Sequence, residues 1–490
     1  MERVKMKNST KTMEDSGVTG NTKLAGGAGE VDYSEIFNRI RTLSSPSTLK
    51  ITDIKICKVD LPPWGCHLIR VDTNQGVSGY GEMRDGASAS YVKLLKSRLV
   101  GENPCEVDRL FRKIKQFGGP ARQSSGVCAV ELALWDLAGK VYGVPVYQML
   151  GGRFRDRVRL YGDTHIEEGR FTGKIMDPKD VGKVLKGYMD KGFTVLKLLS
   201  VELLMAQEGN YCGPLDWVEQ LRAVEEKARN VALYGSQAEI SRVNGQLYDF
   251  NRIPHPFTNM HVTEQGLDCL ESYIEEIRSV IGYKVPLAID HFGHFPLNDM
   301  IKIARRLERF NLAWLEDMLP WYLTEQYRIL KQSTTAPLAT GEDIYLAENF
   351  EPLLAAGAID MVHPDILTSG GILETKKLGD LAARYGASMA VHMCESPIAS
   401  LAAAHMATAS ENFFALEYDA FDSSWWEDII NGPVKPMMEQ GFMSVTDAPG
   451  LGIVSLNEDI IREHGPVKEK DIWMSTDDWN GEVSLDRIWS

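Results

Sequence analysis

The sequence predicts an α/β chain, a modified (β/α)8 barrel of the TIM type with an N-terminal α+β capping domain, and three observations carry that expectation. Short apolar segments alternate with amphipathic helical stretches eight times between Val158 and Glu417. That alternation is the mark of βαβ units on a parallel sheet, and eight units close a barrel. Ahead of them stands a stretch of roughly 100 residues in which strand-like alternation gives way to helical spacing. Finally, 490 residues are too many for one small core and suit a large barrel with a second domain.

Composition narrows the class. A hydrophobic fraction of 44% and a charged fraction of 25% are those of a soluble globular protein. The net charge of −15 repels phosphates, so nucleic acid is not an expected partner. The sequence shows neither an apolar run long enough to span a bilayer nor a secretory h-region, so no membrane partner is expected. Its 7 cysteines lack CxxC spacing and are odd in number, which fits a reducing, cytoplasmic setting.

Taken in order, residues 1–46 are small and polar, with Gly-Gly-Ala-Gly at 26–29, and cannot bury enough surface to fold alone. They are expected to be a disordered or extended tail, with an arm packed on a neighbouring subunit as the alternative. Residues 47–155 form the capping domain. Alternation in Ile51–Val59, in His67–Asp72 and before Tyr80-Gly-Glu-Met83 predicts a small antiparallel sheet. Apolar residues at i, i+3 and i+4 predict helices over Tyr91–Val100, Pro104–Phe117 and Ser124–Tyr142, the last stopped by Gly143 and Pro145.

Residues 156–420 carry the barrel. Its strands are expected at Val158–Gly162, Thr194–Leu199, Leu287–Asp290, Leu312–Glu316, Leu338–Glu342, Met361–Asp365, Met389–His392 and Phe414–Glu417. Residues 201–262, long and rich in Asn, Tyr, Pro and His, read as an inserted lid or interface segment. Residues 421–490, with Trp425-Trp426, are expected to return to the capping domain, the two tryptophans packing between domains.

The chemistry concentrates at strand ends. Asp290, Glu316 and Glu342 are evenly spaced, since 316 − 290 and 342 − 316 both give 26, about one strand, one helix and their loops. That spacing puts three carboxylates side by side on the C-terminal rim, where they repel unless a cation joins them. An all-oxygen set suits Mg²⁺, with Mn²⁺ as the substitute. Any one of them alone would more simply cap the next helix. The next two strands bring Asp365 and His392 together as a carboxylate–imidazole base.

Here the residues resemble a known family. Gly79-Tyr-Gly-Glu82, the run Glu131-Leu-Ala-Leu-Trp-Asp-Leu-Ala-Gly-Lys140 and Val144-Pro-Val-Tyr-Gln-Met-Leu-Gly-Gly152 resemble the capping domain of the enolase superfamily, and the barrel acids with the dyad resemble its mandelate racemase subgroup. The resemblance spans about residues 50 to 460, with the motifs in the expected order. It implies that Asp290, Glu316 and Glu342 bind Mg²⁺, that Asp365 and His392 form the dyad, and that Glu417 touches the substrate or intermediate. The substrate implied is a small carboxylate, an acid sugar; separately, an acidic barrel enzyme with an exposed insert and tail is expected to assemble as a symmetric homo-oligomer.

Two departures refine the reaction. Many relatives carry Lys-X-Lys at the second barrel strand, the second lysine being a base on the face opposite the histidine; here the stretch is Lys197-Leu198-Leu199. Proton removal from one face then favours dehydration over racemisation. Lys197 becomes a candidate contact for the substrate carboxylate, with a structural ion pair as the alternative. Some sugar-acid dehydratases of the subgroup place an acid histidine two residues after the first metal ligand, where this chain has Phe292. His294 is therefore the candidate acid, His165 a weaker one, and His291 structural. Ser369-Gly-Gly371 reads as a turn and Cys394 as a packing residue. The competing functions are an epimerase or cycloisomerase using the same enolate, and a non-catalytic binding protein on the same fold.

Overall fold

In the computed structural model the described residues are 45–61, 65–164, 175–199, 259–290, 293, 295–418, 423–432, 435–467 and 471–483, with stretches of 203–246. The expectation for the N-terminal tail lies outside them.

The capping domain begins with β1 (Ile51–Val59), β2 (Cys66–Thr73) and β3 (Gly79–Glu82), an antiparallel sheet in that order. Helix α2 (Ser125–Tyr142) covers it, and α1 (Val107–Ile114) packs on α2. The expected helix over Tyr91–Val100 is instead two short turns, Ser90–Lys93 and Lys96–Leu99, because Leu95 N bonds Val92 O and tightens the chain between them. β3 lies directly on the α2 backbone: a Cβ at Gly81 would stand 2.0 Å from Ala129 O. Glycine is what permits that approach.

The barrel strands are β4 (Arg157–Gly162), β5 (Leu196–Leu199), β6 (Leu287–Asp290), β7 (Leu312–Glu316), β8 (Leu338–Thr340), β9 (Met361–Val362), β10 (Ser388–Val391) and β11 (Phe413–Tyr418). Every neighbouring pair is parallel, and β11 closes on β4 through Leu416↔Leu160, Glu417↔Tyr161 and Tyr418↔Gly162. The helices that follow them are α3 (Pro178–Asp190), α4 (Glu264–Ile281), α5 (Leu297–Leu307), α6 (Thr324–Ser333), α7 (Ala347–Ala355), α8 (Ile372–Arg384) and α9 (Pro397–Thr408). The expected strands at 338–342, 361–365 and 389–392 end earlier, at Thr340, Val362 and Val391, so Glu342, Asp365 and His392 sit just past the strand ends.

Inside the barrel, Tyr161, Val195, Ala288, Trp314, Ala339, Met361, Ala390 and Ala415 pack as a buried layer in which alanines make room for Tyr161, Trp314 and Met361. This layer sets the phase of everything above it. Side chains two residues on along a strand point the same way. The step from Ala288 reaches Asp290, from Trp314 reaches Glu316, from Ala390 reaches His392 and from Ala415 reaches Glu417. Met361 leads likewise to His363 and Asp365. Glu342 is out of phase with Ala339, and the chain turns at Gly341, whose φ is 142°.

Within the insert, Tyr211–Cys212 pairs antiparallel with His261–Val262, and a helix runs over Leu215–Tyr234. After the barrel, Phe442–Ser444 pairs with the start of β4, which β5 touches only at Gly162↔Leu196. Farther on, Met474 N bonds Ile56 O and Thr476 Oγ1 donates to Ile54 O, both in β1. No helix among the described residues is long and apolar enough to cross a membrane.

Candidate active site

Beneath the rim, Lys197 projects inward from β5 with 2% exposure. Its Nζ lies 2.8 Å from Glu417 Oε1, 3.1 Å from Asp290 Oδ2 and 3.6 Å from Glu316 Oε1. Burial alone lowers a lysine pKa, but Glu316 and Glu417 outweigh it and hold this ammonium well above the usual range. The sequence-derived candidate for binding a substrate carboxylate is thus already ion-paired to three side chains. Around it stand Tyr161, Trp314 and His363. Trp314 Nε1 donates to Glu316 Oε2 at 2.7 Å, and Tyr161 Oη lies 2.8 Å from His363 Nε2. Burial, then Lys197, lowers the His363 pKa to about 4, so that ring is neutral.

Asp290, Glu316 and Asp317 each bring a carboxylate oxygen within 4.8 Å of the others. Glu316 Oε1 approaches His363 Nδ1 at 2.9 Å without making a hydrogen bond, and it is buried with no hydrogen-bond partner among the described residues. Burial first, then Asp290, raises the Glu316 pKa; burial, then Glu342 and Asp290, raises that of Asp317. Converging, mutually repelling oxygens with an orphaned buried acceptor are what a divalent cation resolves, so the residues fit the metal expected here. Glu342 stands at the edge of this group: its Oε1 accepts from Arg84 Nη2 at 2.9 Å and its Oε2 lies 3.4 Å from His392 Nε2. Asp317 was not singled out from the sequence. Its signal was the pairing Glu316-Asp317, repeated in Glu342-Asp343, and a φ of 46° lets Asp317 turn back to take a bond from Thr340 Oγ1 at 2.6 Å.

His392 Nδ1 lies 2.7 Å from Asp365 Oδ2, and Asp365 Oδ1 accepts from the Leu367 amide at 2.6 Å. Burial raises the Asp365 pKa, yet Arg84 and then His392 pull it below the ordinary value, so the carboxylate is ionised. Burial lowers the His392 pKa, but Glu342 and Glu417 carry it well above the ordinary value. Its Nε2 faces Glu342 Oε2, with Glu417 Oε2 at 3.9 Å. Glu417 Oε2 also accepts from the Met393 amide at 3.0 Å. His294, with His291, Phe292 and His165, lies outside the described residues, and Leu199 is described only in its backbone.

Arg84, also not anticipated, enters from the capping domain just after β3. Wholly buried, it donates through Nη1 to Glu342 O at 2.8 Å, to Asp343 Oδ1 at 2.7 Å and to Thr368 Oγ1 at 2.7 Å, with Nε 3.4 Å from Asp365 Oδ2. The capping-domain acids of the sequence motifs do a different job. Glu82 accepts from Ser396 N, Ser396 Oγ and Ala399 N at the start of α9, and Glu131 from Ile372 N and Leu373 N at the start of α8. Each satisfies helix amides that lack a partner within the helix. Gly370-Gly371 forms the turn into α8. Trp425 stacks on His464 at 3.8 Å, and buried Trp426 donates to Glu395 O at 2.9 Å.

Comparison with known proteins matches the two domains described above. Residues 65–151 match the family model for the mandelate racemase/muconate lactonizing enzyme N-terminal domain, and residues 256–460 match the enolase C-terminal domain-like model. A D-xylonate dehydratase of Haloferax volcanii is 31% identical over 85% of this chain and 89% of its own. A D-galactonate dehydratase of Verminephrobacter eiseniae is 27% identical over 88% and 98%. Among solved structures, a mandelate racemase/muconate lactonizing enzyme-like protein from Rubrobacter xylanophilus superposes with a TM-score of 0.70 at 28% identity, covering 85% of this chain and 98% of that one.

Proposed function

We propose, from the premise that this chain belongs to the mandelate racemase/muconate lactonizing enzyme family of the enolase superfamily, that it is a Mg²⁺-dependent acid-sugar dehydratase. It is a lyase that takes the α-proton of an aldonate or aldarate and expels the β-hydroxyl as water, giving a 2-keto-3-deoxy acid. One observation carries the reading: among the described residues one imidazole–carboxylate dyad, His392 on Asp365 at 2.7 Å, opens toward the clustered carboxylates, while the sequence has Leu199 where relatives carry a second-face lysine.

An α-proton of a carboxylate is weakly acidic, so its removal needs a held base and positive charge against the enolate. His392 takes the proton at Nε2 from its neutral form, which a cation on Glu342 would favour by engaging the carboxylate that most raises its pKa, while Asp365, kept ionised beside Arg84, fixes the Nδ1 proton and bears the imidazolium charge. A divalent cation held by Asp290, Glu316 and Glu342, with Asp317 beside them, would supply Lewis-acid charge there, Mg²⁺ by preference and Mn²⁺ as substitute. Lys197 offsets part of the carboxylate charge beneath. Glu417 faces the reacting carbons from β11. The β-hydroxyl leaves as water with the proton that His392 has just taken, which restores the neutral imidazole, and the remaining enol ketonises by moving its own hydroxyl proton to C3.

A panel of aldonate and aldarate stereoisomers, incubated with Mg²⁺ and assayed for 2-keto acid and for product mass, tests this. At least one should yield a keto acid lighter by one water. A product of unchanged mass would make the enzyme an isomerase, and no turnover of any member would sink the reading.

A further inference from the structure

One buried carboxyl at the barrel mouth takes no part in the chemistry above. Glu395, three residues beyond His392, is 4% exposed. Its Oε2 accepts from the Cys394 amide at 3.1 Å, while Oε1 is buried with no hydrogen-bond partner among the described residues. The backbone on both sides is fixed: Trp426 Nε1 holds Glu395 O, and Ser396 N donates to Glu82 at 2.9 Å. The base of this side chain is thereby held at the start of α9.

Its surroundings place it between the dyad and the capping domain. Asp85, Cys394 and Glu395 bring one polar atom each within 4.8 Å of one another, and the Cys394 thiol lies against the His392 imidazole. A cation is not what this group awaits. Asp85 Oδ1 already takes Arg122 Nη2 at 2.7 Å and has Arg84 Nε at 3.9 Å. Burial first, then Asp365 and Asp85, push the Glu395 pKa up to about 8, so the carboxyl carries a proton to give.

An unpaired buried oxygen is costly and persists where something outside the fold completes it. Resting on the acid-sugar reading above, we propose that Glu395 hydrogen-bonds a hydroxyl of the polyhydroxy acid beyond the two reacting carbons, and so decides which acid sugar is accepted. A neutral carboxyl donates to a hydroxyl and an ionised one accepts from it, so the contact serves in either state. A site built to bond a hydroxyl discriminates sharply against the analogue that lacks it.

The test crosses loss of the hydroxyl with loss of the carboxyl. The probes are the best acid sugar of the panel and its monodeoxy analogues at each position beyond C3, assayed for kcat/KM and, by calorimetry with Mg²⁺, for binding. In the wild type one analogue should fall by about 10²-fold. Glu395→Leu should fall comparably on the parent sugar, yet lose under about threefold more on that analogue, while Glu395→Gln, which keeps a donor and an acceptor, stays within about tenfold of wild type. An equal loss by Glu395→Leu on the parent and on every analogue overturns the proposal, as does no loss at all. Should Glu395→Leu not fold, the wild type still decides: a series in which no deoxy analogue loses more than about threefold leaves Glu395 without a hydroxyl to bind. Binding that discriminates through Glu395 without 2-keto acid would retain this proposal and remove the dehydratase. No binding and no turnover would remove both.

Discussion

Two regions of this molecule bury carboxylates, and they do it in opposite ways. At the seam between capping domain and barrel, Glu82 and Glu131 are each surrounded by donors from the first turn of a barrel helix. At the barrel rim, Asp290, Glu316 and Asp317 crowd one another, Asp290 and Glu316 share the Lys197 ammonium, and Glu316 keeps an oxygen without a hydrogen bond among the described residues. The seam acids are matched to their surroundings and lock two units together. The rim acids are mismatched, and the mismatch is what a cation and a substrate relieve. Donor count, more than burial or residue type, separates a structural acid from a functional one.

The strongest attempt to break this contrast removes the base. His392→Asn should lower kcat by about 10²- to 10⁴-fold on the accepted acid sugar, with the urea unfolding midpoint nearly unmoved. Wild-type turnover in that variant would refute the assignment of His392. At the seam the pattern reverses. Glu131→Ala strands Ile372 N, Leu373 N and Trp135 Nε1 and should cost about 3 kcal/mol of unfolding free energy. Turnover per folded molecule should stay near wild type. A lost activity at unchanged stability would move Glu131 into the site.

The rim can be probed by its cation. Saturating Mg²⁺ at a hundredfold over Kd should stabilise the wild type by about 2.7 kcal/mol. Glu316→Gln should abolish that gain while leaving the metal-free protein as stable as before or more so, because a repulsion has gone. A metal-dependent shift that survives the change would take Glu316 out of the set.

The smallest expected effect is a pH dependence at the seam. His405 of α9 accepts from the Tyr147 amide at 3.2 Å, and burial lowers its pKa to about 3, so it is neutral when folded. The unfolded chain takes up that proton first as pH falls. The stability this histidine contributes is complete above about pH 6.5 and declines toward pH 3, by about 2 kcal/mol at pH 5. Urea titrations at pH 7 and pH 5 should show this loss in the wild type and less of it in His405→Gln. Equal losses in both would place the acid sensitivity elsewhere.

Much of the molecule was legible in the order of its residues. The eight strands follow from short apolar runs set between amphipathic helices, the antiparallel sheet beneath α2 from a two-residue period, and the rim positions of Asp290, Glu316 and Glu417 from their places at strand ends, all of which need only the local chain. The strand ends at 338–342, 361–365 and 389–392 were less readable, because a glycine at positive φ or an early bend moves a side chain out of the period that announced it. Arg84 carried no local signal at all. It lies 258 residues from Glu342, with which it pairs, and on a strand-end loop of the other domain.

The sequence by itself determined the period and the spacing, and with them the family, the barrel and the gathering of acids at one rim. Only the tertiary structure decided which acids are satisfied and which are not. Glu131 and Glu316 are the same residue, both fully buried; one meets three hydrogen-bond donors and the other meets Asp290, Asp317 and a lysine shared by three. Local sequence fixes direction along a strand or helix, whereas the amides that satisfy Glu131 come from a barrel helix more than 200 residues away and the lysine beside Glu316 from another barrel strand, neighbours that only the folded chain brings together.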